Sequence, residues 1–247
     1  MLIWILGAAI VESLVSLIGR LFVFWKEEAV RKATHRFISF AVGALLGVVF
    51  LDLLPEAVEI EKPDTVFMAA LIGFVVFFIL ERFLWWYHCH DGECPVHAMG
   101  YLVLIGDALH NFIDGVVIAV AFLADFRLGI LTSVAVIFHE LPQEISDFVV
   151  LLHSGFSRTK ALLYNFLIAL ATVAGALLAY IFRGSLENTL GIALGVVAGN
   201  FLYIAAADLI PELHHQEEQK TSDFILQIAL IIAGIAIVSI AERLVGH

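Results

Sequence analysis

The stretch from Ala98 to Ala124 reads AMGYLVLIGDALHNFIDGVVIAVAFLA. A hydrocarbon core of about 30 Å takes about 20 apolar residues in a helix, so this stretch is long and apolar enough to cross a bilayer. Yet Asp107, His110, Asn111 and Asp114 stand inside it at i, i+3, i+4 and i+7, one stripe along one helix face. The next apolar stretch, 127–153, carries a second polar block, His139-Glu140-Leu141-Pro142-Gln143-Glu144-Ile145-Ser146-Asp147. There 139 and 143, and 140, 144 and 147, fall on one broad face. Two bilayer-length helices with polar stripes decide the class of fold.

The rest of the chain agrees. Of 247 residues 62% are hydrophobic and 15% charged, against roughly 45–50% and about 25% in soluble domains. The mean hydropathy of +0.99 is too high for a single anchor on a soluble body. The same ruler finds eight apolar spans, approximately 1–25, 35–57, 64–87, 98–124, 127–153, 159–182, 187–212 and 223–245. Strands of a membrane barrel would be about ten residues long and alternate in polarity, which these do not. The expected fold is therefore an all-α integral membrane protein, a single transmembrane domain over 1–247. Residues 1–25 read as a span of their own rather than a cleaved leader.

Charge placement sets the expected orientation. Lys26, Arg31, Lys32, Arg36, Arg82, Arg158, Lys160 and Lys220 gather on one side, with Arg20 close by, and Lys62, Arg127, Arg183 and Arg243 on the other. By the positive-inside rule both termini lie outside, in the cell membrane. The net charge of −11 argues against nucleic acid as a partner. Two cysteines, Cys89 and Cys94, do not make a disulfide framework.

The chain also echoes itself. Asp52-Leu53-Leu54-Pro55-Glu56 ends span 2 and Asp208-Leu209-Ile210-Pro211-Glu212 ends span 7, while Glu81-Arg82 in span 3 is matched by Glu242-Arg243 in span 8. Spans 1–3 and 6–8 read as two copies around central spans 4 and 5. Five spans separate the copies, so they run in opposite senses, the inverted repeat common in secondary transporters. Chance helix-end punctuation is the alternative. Gly43 and Gly47, and Gly191, Gly195 and Gly199, are spaced for close helix packing.

Asp107, Asp114, Glu140, Glu144 and Asp147 put five acids into two membrane helices. At about 2.5–3.5 kcal/mol each on the insertion scale, their burial would cost more than about 10 kcal/mol unless they face one another, water or a cation. Apart from Arg127 and His153 at the very ends of the second, the two spans hold no basic partner except His110 and His139, which points to a metal ion. Imidazole with carboxylate and amide oxygen suits Zn²⁺, Fe²⁺ or Mn²⁺, whereas Ca²⁺ would take oxygen alone. A structural polar network or a proton relay is the competing account of the same residues. No Walker-type glycine loop is present, so ATP is not expected to drive the chain. An intramembrane zinc-dependent hydrolase, with Glu140 as base to a metal-bound water, is the alternative to a transporter. The metalloprotease pattern H-E-x-x-H, however, finds Gln143 where it needs histidine.

His110-Asn111-Phe112-Ile113-Asp114-Gly115 and His139-Glu140-Leu141-Pro142-Gln143-Glu144 resemble the span 4 and span 5 signatures of the ZIP (Zrt/Irt-like) divalent metal transporters. The run on to Asp147 and Phe148 is similar to the subgroup whose fifth span reads roughly HExPHExGDF. The resemblance implies a secondary transporter that moves Zn²⁺, with Fe²⁺, Mn²⁺ and Cd²⁺ admitted, toward the cytoplasm by alternating access. It implies no catalysis and no resident cofactor, the bound metal being cargo. It also implies a binuclear centre: His110, Asp114, His139 and Gln143 at one position, and Asn111, Glu140 and a shared Asp114 or Gln143 at its neighbour. Glu144 is placed with these ligands. Asp107, Asp147, Asn165, Asp208, Glu212 and His214 are candidate accessory or pathway residues. Three departures stand out. Gln143 replaces the subgroup's histidine, Ser146 replaces a glycine, and span 6 offers Asn165 and Thr172 but no carboxylate. The loops 88–97 and 214–218 carry further His, Cys and acidic residues that suit a metal relay. The expected partners are a divalent ion and the lipid bilayer, with a homodimer admitted.

Overall fold

The computed structural model describes residues 1–19, 27–88, 96–214 and 221–245. Every regular element among them is helical. In chain order these are α1 (Leu2–Gly19), α2 (Glu27–Gly47), α3 (Leu54–Ile60), α4 (Pro63–His88), α5 (Val96–Ala124), α6 (Phe126–His153), α7 (Arg158–Ile181), the short α8 (Arg183–Leu186), α9 (Leu190–Tyr203), α10 (Ile210–His214) and α11 (Thr221–Val245). Two π-helical stretches, Val48–Leu53 and Ile204–Leu209, weld α2 to α3 and α9 to α10 into continuous rods.

By length and composition, six described helical runs are able to cross a membrane: Thr34–Ile60, Pro63–Arg82, Val103–Ala124, Arg158–Ile181, Leu190–His214 and Asp223–Ile240. α1 is apolar over the shorter Leu2–Val15, and α6 carries the polar block. The outward faces are what lipid requires. On α4, Phe67, Met68, Leu71, Ile72, Phe78 and Ile79 are all exposed, and on α11 so are Phe224, Ile225, Ile228, Ile232, Ile237 and Ile240. Apolar belts of that extent are not left to water. The chain is an integral membrane protein.

The rods pack as two groups. α5 lies along α7 and α6, and α1 packs on α7 and α6; in the second group α2 lies along α11 and α4 along α9, with α3 on α9. α2 also runs beside α6 and joins the groups. Small residues set these approaches. A Cβ on Gly115 of α5 would strike the Thr172 carbonyl of α7, and one on Gly175 would strike that of Phe112, so the two backbones touch. The spaced glycines behave as their spacing predicts. Gly43 and Gly47 sit against Ile231 and Val238 of α11, and Gly195 and Gly199 against Val66 and Ala70 of α4.

One expectation needs correction. The two Asp-Leu-x-Pro-Glu segments do not end their helices, which continue to Ile60 and His214. In each, the residue before proline donates five residues back, Leu54 N–H to the Val49 carbonyl and Ile210 N–H to that of Ala205. The wider π turn absorbs a proline that would clash with the carbonyl four residues back in an α ladder. Most of the 88–97 loop and all of 215–218 lie outside the described residues, as do the side chains of Glu242 and Arg243.

Candidate metal centre

Midway along α5 and α6 the two polar stripes meet. His110, Asp114, His139 and Glu140 each offer one ligand atom, and the four atoms lie within 4.8 Å of one another. The separations are tighter than that bound. His110 Nε2 is 3.3 Å from His139 Nε2 and 3.2 Å from Glu140 Oε1. His139 Nε2 is 3.1 Å from Asp114 Oδ2. His110 Nε2 to Asp114 Oδ2 and His139 Nε2 to Glu140 Oε1 are both 3.7 Å. A tetrahedral metal with bonds of about 2.0–2.2 Å has ligand–ligand edges 1.63 times longer, about 3.3–3.6 Å. The five edges straddle that range, so one small divalent ion fits between them.

Electrostatics point the same way. His139 Nδ1 faces the Ala135 carbonyl one turn back at 3.3 Å. Donating there puts the ring proton on Nδ1 and leaves the Nε2 lone pair facing the cluster, the second-shell orientation that ligating histidines use. The Asp114 and Glu140 carboxylates then converge on that lone pair, beside His110 Nε2. The side chains of Asp114, His139 and Glu140 are at most 1% exposed and that of His110 14%, so water cannot screen the repulsion. Among the described residues, neither oxygen of Asp114 or of Glu140 has a hydrogen-bond partner. A buried cluster of this kind is stable when a cation sits in it. The ring of Phe201 from α9 closes one side, 6.1 Å from that of His139.

The remaining sequence candidates divide. Asp107 and Glu144 join Glu140 in a second, wholly buried group whose oxygens also lie within 4.8 Å of one another. Asn111 is fully engaged: its Nδ2 donates to the Asp107 carboxylate at 2.7 Å and to the Asp107 carbonyl at 3.0 Å, and its Oδ1 accepts from Thr172 Oγ1 at 3.1 Å. Gln143, Asp147, Asp208 and Glu212, together with His110, line a cavity of about 380 Å³. Its walls come from the start of α2 and the first half of α5, and from the far parts of α4, α6 and the α9–α10 rod, so it opens at one end of the molecule. Asn165 is buried on α7, and His214 is exposed at the end of α10; neither is among the cavity-lining residues or the two ligand groups.

Three features were not anticipated. Glu12 of α1 is completely buried and within electrostatic range of Glu140. A lone acid in an apolar span is itself a signal, and this one was available. Tyr203 Oη donates to the Glu81 carboxylate at the cavity wall. Asp52, in the first π stretch, is paired with Arg127 of α6 at 3.5 Å.

Residues 88–242 match the family described as ZIP Zinc transporter. The chain is 31% identical to the zinc transporter ZIP13 homolog of Drosophila melanogaster over 290 residues, covering 90% of this chain and 81% of that protein. It is 32% identical to zinc transporter ZIP13 of Pongo abelii, over 81% of this chain and 64% of that one. With zinc transporter ZIP10 of Danio rerio it shares 39% identity, over 63% of this chain but 19% of that longer protein. Those matches, on a membrane protein whose helices converge imidazoles and carboxylates, leave one assignment: the chain belongs to the ZIP zinc transporter family and is a transporter of divalent metal ions, not an enzyme.

Proposed function

We propose that the chain carries Zn²⁺ through the α5/α6 cluster toward the cytoplasm, with His110, Asp114, His139 and Glu140 as the ligands that hold it in transit. The observation that carries this reading is the set of converging ligand atoms, spaced as the edges of a zinc tetrahedron and buried with no fixed cation among them. Gln143, one turn beyond His139 and on the cavity wall, receives the ion as the cavity wets the site. Glu144, with Asp107, extends the oxygen donors past Glu140. Asp147, Asp208 and Glu212 then form an acidic route outward.

The reading includes eight spans with both termini outside the cell, α1 and α6 completing the set. Under the positive-inside rule the cavity then opens to the cytoplasm. It also includes the inverted repeat, which two correspondences support. The π stretches Val48–Leu53 and Ile204–Leu209 are offset by the same 156 positions as the two Asp-Leu-x-Pro-Glu segments. The tight glycine approaches pair up likewise. Gly43 meets Ile231 and Gly199 meets Ala70, while Gly234 meets Phe40 and Gly73 meets Val196. An offset of 156 on α2/α9 and of 161 on α4/α11 turns each contact into its mate. Alternating access then follows from moving the α1/α5/α6/α7 group against the other.

The test is ⁶⁵Zn²⁺ uptake into sealed proteoliposomes by the parent and by His110→Ala/Asp114→Ala, with Fe²⁺, Mn²⁺ and Cd²⁺ as competitors. Saturable uptake that the double variant loses is the expected outcome, and the competition order ranks the metals. Folded parent protein that binds zinc tightly yet shows no flux above empty vesicles would overturn the reading.

A further inference from the structure

Two aspartates occupy equivalent places in the repeated segments but have unequal surroundings. Asp208 is exposed and lines the cavity. Asp52 is 7% exposed and faces Arg127, whose side chain is 24% exposed. We propose that the Asp52–Arg127 pair is the latch that holds the end of the molecule opposite the cavity closed, and that it must part before the metal site opens to that side. The inference rests on the alternating-access reading above.

The cavity uses the start of α2, at Thr34 and Ile38, and the later part of α6, at Gln143 and Asp147. The ion pair lies beyond the other end of α2 and at the first turn of α6. From Ile38 to Asp52 the helix rises about 20 Å. One end of the α2/α6 seam is therefore open and the other pinned.

Arg127 is also oddly placed for α6 itself. Asp125 caps that helix, its Oδ1 accepting from the Arg127 and Leu128 backbone N–H groups. A cation in the first turn opposes the helix dipole, so α6 gains nothing from it locally. Its partner belongs to the other helix group, and the contact ties the two together. α6 is a continuous helix from Arg127 to His139 and Glu140, so displacement at the pair is transmitted to half of the metal centre.

The pair is built to separate. The Nη2–Oδ1 separation of 3.5 Å is longer than the about 2.7–2.9 Å of the strongest charge-assisted arginine–carboxylate pairs. Glu56, half-buried one turn past Asp52, is within electrostatic range of the same guanidinium. Arg127 released from Asp52 therefore keeps a negative neighbour nearer the surface, which lowers the cost of parting.

Accessibility tests the proposal in proteoliposomes, in a background where Cys89 and Cys94 are replaced by serine. Ala135→Cys places a thiol on buried α6 between the latch and His139, and Leu80→Cys places one on the cavity wall. Arg127→Gln and Asp52→Asn are each expected to speed labelling of the Ala135→Cys thiol by impermeant maleimide about fivefold or more, and to slow that of Leu80→Cys. Combining the two should add little. Unchanged labelling at both positions, in variants that still bind zinc, overturns the latch. A second arm does not depend on charge removal. Oxidative cross-linking of Asp52→Cys with Arg127→Cys should abolish uptake until a reductant restores it, and a cross-linked protein that transports at the uncross-linked rate overturns the proposal. Labelling needs no flux, so a parent without zinc uptake would sink the transport reading while the accessibility result still judges the latch.

Discussion

Two places among the described residues bury carboxylates and neutralise them differently. At the end of α2, Asp52 meets a guanidinium that is part of the chain. Midway along α5 and α6, Asp114 and Glu140 meet the Nε2 atoms of two imidazoles, of which His139 turns a lone pair toward them. A cation built into the chain is always at hand to remake its contact, whether the pair is closed or parted. An imidazole carries no permanent charge, so carboxylates set among imidazoles leave a place that a mobile cation can fill. On the function proposed for the α5/α6 cluster, the difference separates the part of the transporter that binds cargo from the part that holds a shape.

Zinc linkage tests that difference most strongly. An ion bound only by the folded state stabilises it by about 2.7 kcal/mol at one hundred times its Kd. Thermal unfolding in detergent should therefore shift upward with zinc in the parent and in Asp52→Asn, and hardly at all in Asp114→Asn. Loss of a direct ligand should weaken zinc by more than the about 10–100-fold typical of outer partners. An Asp114→Asn protein with the parent's zinc shift would remove Asp114 from the ligand set and with it the contrast drawn here.

A packing change is next in size. Gly115 lies beside Asp114, and any side chain there meets the α7 backbone at Thr172. Gly115→Val should cost about 1–3 kcal/mol, the usual range for overpacking, and push α5 away from α7. Because Asp114 moves with that backbone, uptake should fall further than stability does. Gly7, where an added Cβ meets nothing, is the control: Gly7→Val should leave uptake near the parent's. Equal losses from the two substitutions would mean that the α5–α7 approach has no special hold on the site.

Much of this was legible in the sequence, and for a physical reason. Lipid demands long apolar runs, so the helices announce themselves, and a buried acid is costly enough that Asp107, Asp114, Glu140 and Glu144 had to be explained together. Local backbone chemistry was harder to read. Pro55 and Pro211 looked like helix ends because a proline usually breaks the ladder. Only the π register before each lets the rods continue. Pairing across distance was not legible at all: nothing near Asp52 in the sequence announces Arg127, 75 residues on. Asn111 shows the same limit. Its place on the polar stripe fits a ligand, whereas its amide is committed to Asp107 and Thr172.

That commitment yields the smallest predicted effect and the sharpest test of the boundary between binding and bracing. Thr172 is fully buried and donates to Asn111 Oδ1 at 3.1 Å. Thr172→Val keeps the volume and removes the donor, leaving a buried acceptor unsatisfied, which costs about 1–3 kcal/mol. If Asn111 serves only to orient Asp107, that stability change should appear with zinc affinity altered less than about threefold. If Asn111 instead turns from Thr172 to coordinate the ion during transport, the same substitution frees its oxygen, and zinc should bind more tightly. Isothermal titration of zinc into the parent and Thr172→Val proteins separates the two outcomes, because the first leaves the binding curve in place and the second moves it toward higher affinity. The sign of that shift decides on which side of the comparison Asn111 belongs.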